Sequence, residues 1–213
     1  MSSALLLIGP LAGNAKAFEK NSLGRVLNSG TITLQERAVR GRVSIMADWV
    51  NEKYMQLALE LADASKERGE FPFGAVIVQN DKVVAAVENG EHRKGDVTAH
   101  AELMALSEAS WKLARRDLSD CIIYSSAEPC PMCSAAIFQS NIPRVAFGLY
   151  RDDLPHLFRR RKIRIAQLAE DWDYRPEVVG GILREQAIKA FDGIETPWRV
   201  AGAHHDAEHT RGK

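Results

Sequence analysis

The chain has 213 residues, of which 46% are hydrophobic and 26% are charged, a composition typical of one globular domain with extensions and not of a disordered or fibrous chain. Lys and Arg together number 28, as do Asp and Glu, so the net charge is zero and does not indicate a polyanionic partner. Three cysteines are an odd number that argues against a disulfide framework and predicts a reducing, cytoplasmic setting.

The first 45 residues differ in pattern from the rest. Residues 5–12 are apolar, but no Lys or Arg precedes them as in a signal peptide, and the run is too short to span a membrane. The stretch that follows is polar and lacks sustained periodicity. We therefore interpret residues 1–45 as an N-terminal extension, with two alternatives left open: a flexible segment upstream of a natural start at Met46, or an added helix that packs on a partner subunit.

A domain is predicted over residues 46–198, followed by a polar, disordered tail over residues 199–213. Its hydrophobic periodicity alternates between helical and extended segments. In chain order these are a helix at 49–66, a hairpin around Asn80 and Asp81, a helix at 98–114, a strand at 121–126, a helix at 128–140, a strand at 144–150, an unassigned loop, and a short strand and last helix in "EVVGGILREQAIKAF". This order predicts a mixed sheet covered by helices on both faces.

Two polar residues interrupt the apolar helix start "TAHAELMAL". His100 and Glu102 are two positions apart, so they share no helix face and converge only where the first turn begins. A buried histidine beside a solvated glutamate is the ordinary interpretation, and these two residues alone leave it open.

A C-x-x-C pair begins the helix that follows the third predicted strand. Cys130 and Cys133 lie on one helix face, and the positive end of the helix favours their thiolate form. A redox dithiol is expected near the chain start in a βαβ pattern, which is absent here. A structural zinc site requires a second ligand pair, which in this chain only the tail offers, through His204, His205 and His209.

The third interpretation combines the two motifs. His100, Cys130 and Cys133 supply three good zinc ligands and leave one position open, which is typical of a catalytic zinc site. Zinc lowers the pKa of a water at that position toward neutrality, and Glu102 would then take the water's proton and deliver it to a leaving group.

The motifs "HAE" and "PCPMC" resemble the H-x-E…P-C-x-x-C signature of the zinc-dependent cytidine/deoxycytidylate deaminase superfamily. "FPFGAVIV", "DVTAHAELMAL" and "SSAEPCPMC" are similar to guanine deaminases and bacterial tRNA adenosine deaminases, and "EVVGGILREQA" resembles the closing strand and helix of the tRNA enzymes and of fungal-type cytosine deaminases. The resemblance runs from about Trp49 to Ala190. It implies an α/β fold, a three-layer α/β/α sandwich with a five-stranded mixed sheet, and a homodimer or larger assembly.

The resemblance also implies the reaction and the substrate contacts. Zinc-bound hydroxide attacks an amidine carbon of the base, Glu102 shuttles protons and ammonia leaves. Asn89 matches an asparagine that hydrogen-bonds the base, although it also fits as a turn residue. Phe73 matches a pocket wall, with core packing as the alternative. The remaining matches are the backbone N–H of Ala101, which lies against the substrate ring or carbonyl, and Asp153 (or its neighbour Asp152), near an acidic position that holds the purine in guanine deaminases.

The chain departs from the family pattern in three places. Val97 replaces a proline, Ala135 replaces a glycine, and the loop over residues 154–175 matches nothing in the family. In the family that this chain resembles, loops in this position line the substrate entrance, so these departures bear on substrate identity.

Three functions follow as hypotheses. The first is deamination of a small, neutral nucleobase or nucleoside by a zinc enzyme, with guanine as the favoured substrate and cytosine as the second. This hypothesis involves no membrane partner. The second is tRNA adenosine deamination, with the basic run as a phosphate-binding surface; a solvated surface or subunit contact is the alternative for that run, which comprises Arg159, Arg160, Arg161, Lys162 and Arg164. The third is a non-catalytic, zinc-stabilised binding module, against which the proton shuttle Glu102 argues.

Overall fold

The computed structural model describes residues 47–158, 162–172 and 174–194. The predicted N-terminal extension over 1–45 and the predicted tail over 199–213 lie outside the described residues, as do the two ends of the predicted domain. No helix within the described ranges is long and apolar enough to cross a membrane.

A five-stranded mixed sheet with the strand order β2-β1-β3-β4-β5 forms the centre of the fold. β1 is antiparallel to both β2 and β3, whereas β3, β4 and β5 run parallel. Asn80 and Asp81 join β1 to β2 with φ angles of 48° and 57°, the left-handed pair that a two-residue hairpin turn requires. The strands are β1 Gly74–Gln79, β2 Lys82–Glu88, β3 Cys121–Ala127, β4 Arg144–Leu149 and β5 Glu177–Gly180.

The helices of the described residues include two that the sequence analysis did not predict. α2 lies within the loop that precedes "TAHAELMAL", and α5 lies within the unassigned loop; with four and seven residues, both are too short for a helical period to stand out in the sequence. The helices are α1 Glu52–Glu67, α2 Glu91–Lys94, α3 Ala101–Lys112, α4 Pro131–Gln139, α5 Ile165–Asp171 and α6 Arg184–Lys189.

Alternate residues of the central strand β3 face two different helical layers. Ile123 belongs to a core cluster that includes Ala105 of α3 and Phe138 of α4. Tyr124, on the opposite face, places its ring 5.5 Å from the ring of Tyr54 in α1. The three-layer α/β fold with a five-stranded mixed sheet is therefore confirmed.

The start of β1 lies so close to α1 that only glycine fits at position 74. A Cβ atom on Gly74 would lie 2.3 Å from the carbonyl oxygen of Ala58 and 2.6 Å from the Cβ of Leu61. This close packing fixes the end of β1 next to Phe73. The carboxyl end of β3 lies beside it, since Gly74 donates its N–H to Ser126 Oγ at 3.1 Å, and ligands commonly bind beyond the carboxyl ends of parallel strands.

Candidate active site

Two helix N-termini carry the motif residues. His100 is the N-cap of α3, with φ −66° and ψ 147°, and Cys130 is the N-cap of α4, with φ −68° and ψ 165°. Cys133 follows within the first turn of α4, and Glu102 within the first turn of α3. A side chain at an N-cap and one in the first turn can therefore converge beyond the helix end, which explains the two-residue spacing of His100 and Glu102.

The three predicted metal ligands lie together. His100 Nδ1 is 3.7 Å from Cys130 Sγ and 3.4 Å from Cys133 Sγ, and the two sulfurs are 3.5 Å apart. A tetrahedral zinc with one Zn–N bond of about 2.0 Å and two Zn–S bonds of about 2.3 Å separates its donors by roughly 3.4–3.8 Å. The spacing and the soft donor set, one imidazole and two sulfurs, both fit zinc.

Charge is already separated within this cluster. Burial would lower the pKa of His100, but the contact with Cys130, and then that with the Glu91 carboxylate 3.6 Å away, raise it to about 10. The hydrogen bond from Cys133, followed by that from His100, lowers the pKa of Cys130 to about 3 against the effect of burial. Donating this bond favours the thiol form of Cys133, whose pKa is raised further by burial. One sulfur is therefore negative, which makes it a donor suited to a bound cation, and His100 releases its proton when its Nδ1 binds a metal.

Glu102 lies against this cluster without belonging to the three-residue ligand group. It is 6% exposed; its Oε1 accepts a hydrogen bond from Ser125 Oγ at 3.2 Å, and its Oε2 lies 3.5 Å from Cys133 Sγ. Burial, and then the negative charge of Cys130, raises the pKa of the Glu102 carboxyl. A raised pKa suits a group that takes up and returns a proton near neutral pH.

Ser125 is a site residue that the sequence analysis missed. It lies within β3 in the run "YSSA", which carries no recognised motif. The only available signal is strand alternation, which places Ser125 on the same sheet face as Ile123 and hence toward α3.

A cavity of about 200 Å³ opens beside the metal-ligand cluster. Its walls combine aromatic rings with a few acidic groups, and Glu102, His100 and Cys130 are among the residues that line it. Four phenylalanines and two further glutamates also line it: Phe71, Phe73, Phe158, Phe191, Glu91 and Glu128.

One predicted substrate contact lines this cavity, and a second directly follows its lining residue His100 in the sequence. Phe73 lines the cavity, and its ring centroid lies 6.0 Å from that of Phe158 and 5.5 Å from that of Phe191. Ala101 is fully buried as the first residue of α3, where a backbone N–H has no acceptor within the helix. Both positions suit the predicted contacts with a base.

The remaining predicted contacts, Asn89 and Asp153, are also not among the residues that line the cavity. Asn89 is fully buried; its Nδ2 donates to Glu70 Oε2 at 3.3 Å, while its Oδ1 has no partner among the described residues. Asp153 accepts hydrogen bonds from the guanidinium of Arg184 at 3.0 and 2.5 Å and from the backbone N–H of Tyr150 at 2.8 Å. The structure thus brings Asp153 to Arg184 instead of to the cavity.

One residue of the basic run supports the cavity wall. Glu128 Oε2 accepts hydrogen bonds from Arg164 Nη1 at 3.0 Å and from the backbone N–H of Arg151 at 3.1 Å, and Arg164 also pairs with Asp152. Lys162 is exposed, and residues 159–161 lie outside the described ranges. Arg164 is therefore engaged with carboxylates and is not a free phosphate-binding side chain.

Comparisons with known proteins agree with this geometry. The family profile of the cytidine and deoxycytidylate deaminase zinc-binding region matches residues 49–149. A probable cytosine deaminase from Schizosaccharomyces pombe is 36% identical over 148 residues, which cover 66% of this chain and 90% of that protein. A tRNA-specific adenosine deaminase from Bacillus subtilis is 33% identical over 136 residues, which cover 64% of this chain and 83% of that protein. The structure of a guanine deaminase from Nitrosomonas europaea matches with a TM-score of 0.59 and 28% identity, covering 77% of this chain and 93% of the other.

Proposed function

Because the chain belongs to the family of zinc-binding cytidine and deoxycytidylate deaminases and is thus a hydrolase that acts on C–N bonds, we propose that its substrate is a free nucleobase or nucleoside, with guanine favoured and cytosine second. The cavity carries this proposal, since about 200 Å³ of space adjoins both Glu102 and the metal-ligand cluster. Pockets for drug-sized ligands usually measure about 300–1,000 Å³, so this cavity suits a smaller molecule.

The aromatic walls support a purine over a pyrimidine. Phe73, Phe158 and Phe191 form a mutually packed group with ring centroids 5.5–6.0 Å apart. A flat, bicyclic base offers these rings more apolar surface than a monocyclic one, and the binding free energy grows with the apolar area that leaves water. The solved guanine deaminase from Nitrosomonas europaea is consistent with this preference.

The metal and the residues of the site each have a separate role in the proposed hydrolysis. When bound, zinc supplies a Lewis acid that lowers the pKa of a water molecule toward neutrality. Glu102 accepts a proton from the attacking water and returns it to the leaving amino group, so that a C–O bond replaces the C–N bond and ammonia leaves. Ser125 holds the Glu102 carboxylate in place through its 3.2 Å hydrogen bond.

The substrate contacts form part of the proposal. Phe73 packs against the base, and the backbone N–H of Ala101 donates to the ring or its carbonyl. Contact with Asn89 stays a prediction, supported by its unpaired Oδ1 within the described structure. Asp153 is not proposed as a contact, because its carboxylate is engaged by Arg184.

The test is ammonia release from guanine, cytosine, adenine and their nucleosides, compared by kcat/KM. We expect turnover of free guanine above that of the other compounds, with turnover lost in a Glu102→Ala variant run in parallel. Equal or higher kcat/KM for cytosine would reverse the order of the two bases. Activity that survives in Glu102→Ala would contradict the assigned proton shuttle.

The second candidate is tRNA adenosine deamination, which the relative from Bacillus subtilis favours. An adenosine-bearing anticodon stem-loop is therefore assayed beside the free bases. Activity on this RNA alone, with binding that weakens steeply as salt is raised, would replace the free-base proposal.

The homodimer that the family resemblance implies is also part of the proposal. Light scattering on the purified protein tests it by measuring the molar mass in solution.

A further inference from the structure

The two ring nitrogens of His100 face different partners. Nδ1 faces the sulfurs of Cys130 and Cys133 at 3.7 and 3.4 Å. Nε2 lies 3.6 Å from Oε1 of Glu91. A neutral imidazole has one protonated nitrogen and one lone pair, so a histidine that ligates through Nδ1 carries its proton on Nε2, toward Glu91.

Several contacts fix the backbone that carries Glu91. The carboxylate of Glu70 accepts hydrogen bonds from the backbone N–H groups of His92, at 3.0 Å, and Arg93, at 2.6 Å. Gly90 donates its N–H to the carbonyl oxygen of Ala99 at 3.0 Å. Glu91 is the first residue of α2, and hydrogen bonds thus fix the backbone on both sides of it. One of these bonds connects its neighbour Gly90 to Ala99, the residue that precedes His100.

Burial makes the position of the Glu91 side chain informative. Glu91 is only 8% exposed, and a carboxylate withdrawn from water is costly unless it faces an opposite charge or a donor. His100 supplies that partner. The 3.6 Å separation is an ion-pair distance and not that of a hydrogen bond, so the carboxylate acts on the ring mainly through electrostatic attraction to the N–H.

We propose that Glu91 is the positioning residue for the metal ligand His100. It favours the tautomer protonated on Nε2 and thereby aims the Nδ1 lone pair at the site shared with the two sulfurs. Carboxylates that contact metal-bound histidines in this way fix the ring orientation, and their removal typically weakens metal binding about 10–100-fold. This inference rests on the proposed zinc ligands but not on the proposed substrate.

The alternative role for Glu91 is contact with the substrate, because the residue also lines the cavity. The two roles differ in what they affect without substrate. A positioning residue changes zinc affinity in the resting protein, whereas a residue that only contacts the base changes KM and leaves zinc affinity unchanged.

The experiment measures zinc affinity by competition with a chromogenic chelator, in full-length protein whose three tail histidines are replaced by glutamine. We expect Glu91→Ala to weaken zinc binding about 10–100-fold and Glu91→Gln, which keeps an oxygen near the ring but loses the negative charge, to recover only part of that loss. Glu128→Gln is the matched control, since Glu128 is a buried glutamate of the same cavity that bonds to Arg164 and not to His100. Its zinc affinity should equal that of the unchanged protein.

A second measurement separates positioning from a general loss of structure. In zinc-loaded protein with ¹⁵N-labelled histidine, the Nε2–H proton of His100 should resist exchange with water, and that protection should disappear in Glu91→Ala at an unchanged melting temperature. Wild-type zinc affinity in both Glu91 variants would overturn the inference. Failure of the unsubstituted protein to bind zinc would overturn the metal site itself, whereas Glu91-dependent zinc binding without turnover of any base would refute only the proposed substrate.

Discussion

Replacing Glu102 by glutamine tests the central chemical assignment with little change in shape. The amide has nearly the same volume as the carboxylate, and its remaining oxygen can still accept the hydrogen bond from Ser125 Oγ, which measures 3.2 Å to Glu102 Oε1. What is lost is the ability to take a proton from water. General acid–base groups contribute about 10²–10⁴-fold to rate, which corresponds to roughly 2.7–5.4 kcal/mol of the activation barrier at about 1.36 kcal/mol per tenfold change.

Stability and metal content should not fall with the activity. Glu102 is only 6% exposed, so a neutral amide avoids the desolvation cost of a charged group at this position. The residue is also outside the three-residue ligand group. We therefore expect Glu102→Gln to retain zinc and to melt at or above the temperature of the unsubstituted protein while kcat falls at least 100-fold, which lies at the low end of the range for such groups.

The assay combines kcat from ammonia release, zinc content and thermal melting. Glu108→Gln on the same helix is the control, because Glu108 pairs with Lys112 at the surface and should leave all three quantities unchanged. Turnover of Glu102→Gln within tenfold of the unsubstituted protein would refute the proton-shuttle assignment. Loss of zinc in this variant would instead identify Glu102 as a fourth ligand and the site as closed.

Three further predictions test the metal site, the ion pair and the packing. Cys133→Ala should abolish zinc binding and, at zinc concentrations near 1,000 times Kd, remove about 4 kcal/mol of stabilisation; a variant that retains stoichiometric zinc would contradict the ligand set. Burial raises the pKa of Asp153, but the hydrogen bonds from Arg184 outweigh this effect and hold the pKa below its usual value. The ionised carboxylate therefore stabilises the fold fully above about pH 4, the usual pKa of an aspartate in the unfolded chain. This stabilisation is lost as the pH falls through the lower pKa that Asp153 has in the folded protein. Asp153→Asn should therefore cost about 1 kcal/mol at pH 7, and its urea midpoint should approach that of the unsubstituted protein in acid; a difference independent of pH would speak against the ion pair. Gly74→Ala should lower stability by about 1–3 kcal/mol, because its Cβ would lie 2.3 Å from the Ala58 carbonyl oxygen, and an unchanged urea midpoint would show that α1 and β1 can separate.

Short-range patterns were sufficient for the predicted strands, the principal helices and the ligand candidates. The Asn80-Asp81 pair specifies a hairpin turn because these residues tolerate the left-handed conformation, and the structure has them there at φ 48° and 57°. The spacing C-x-x-C places two sulfurs on one face of a helix start, whatever the rest of the chain does. The H-x-E spacing acts in the same way, since an N-cap residue and a first-turn residue both lie next to the helix end.

The tertiary structure decided which distant groups meet at that site. Ser125 bonds to Glu102 across 23 positions and Arg164 to Glu128 across 36, and no local period links such pairs. Asp153 is the opposite case. Its position in the sequence is near an acidic position of the family, but only the fold shows that its carboxylate is hydrogen-bonded to Arg184.

The sequence alone therefore predicted the metal donors and the proposed acid–base group, since local backbone geometry sets where those side chains lie relative to their own helix ends. Only the folded chain decided what surrounds them. Glu91 beside His100, Ser125 behind Glu102 and the phenylalanine walls of the cavity all depend on how strands and helices distant in the sequence pack together.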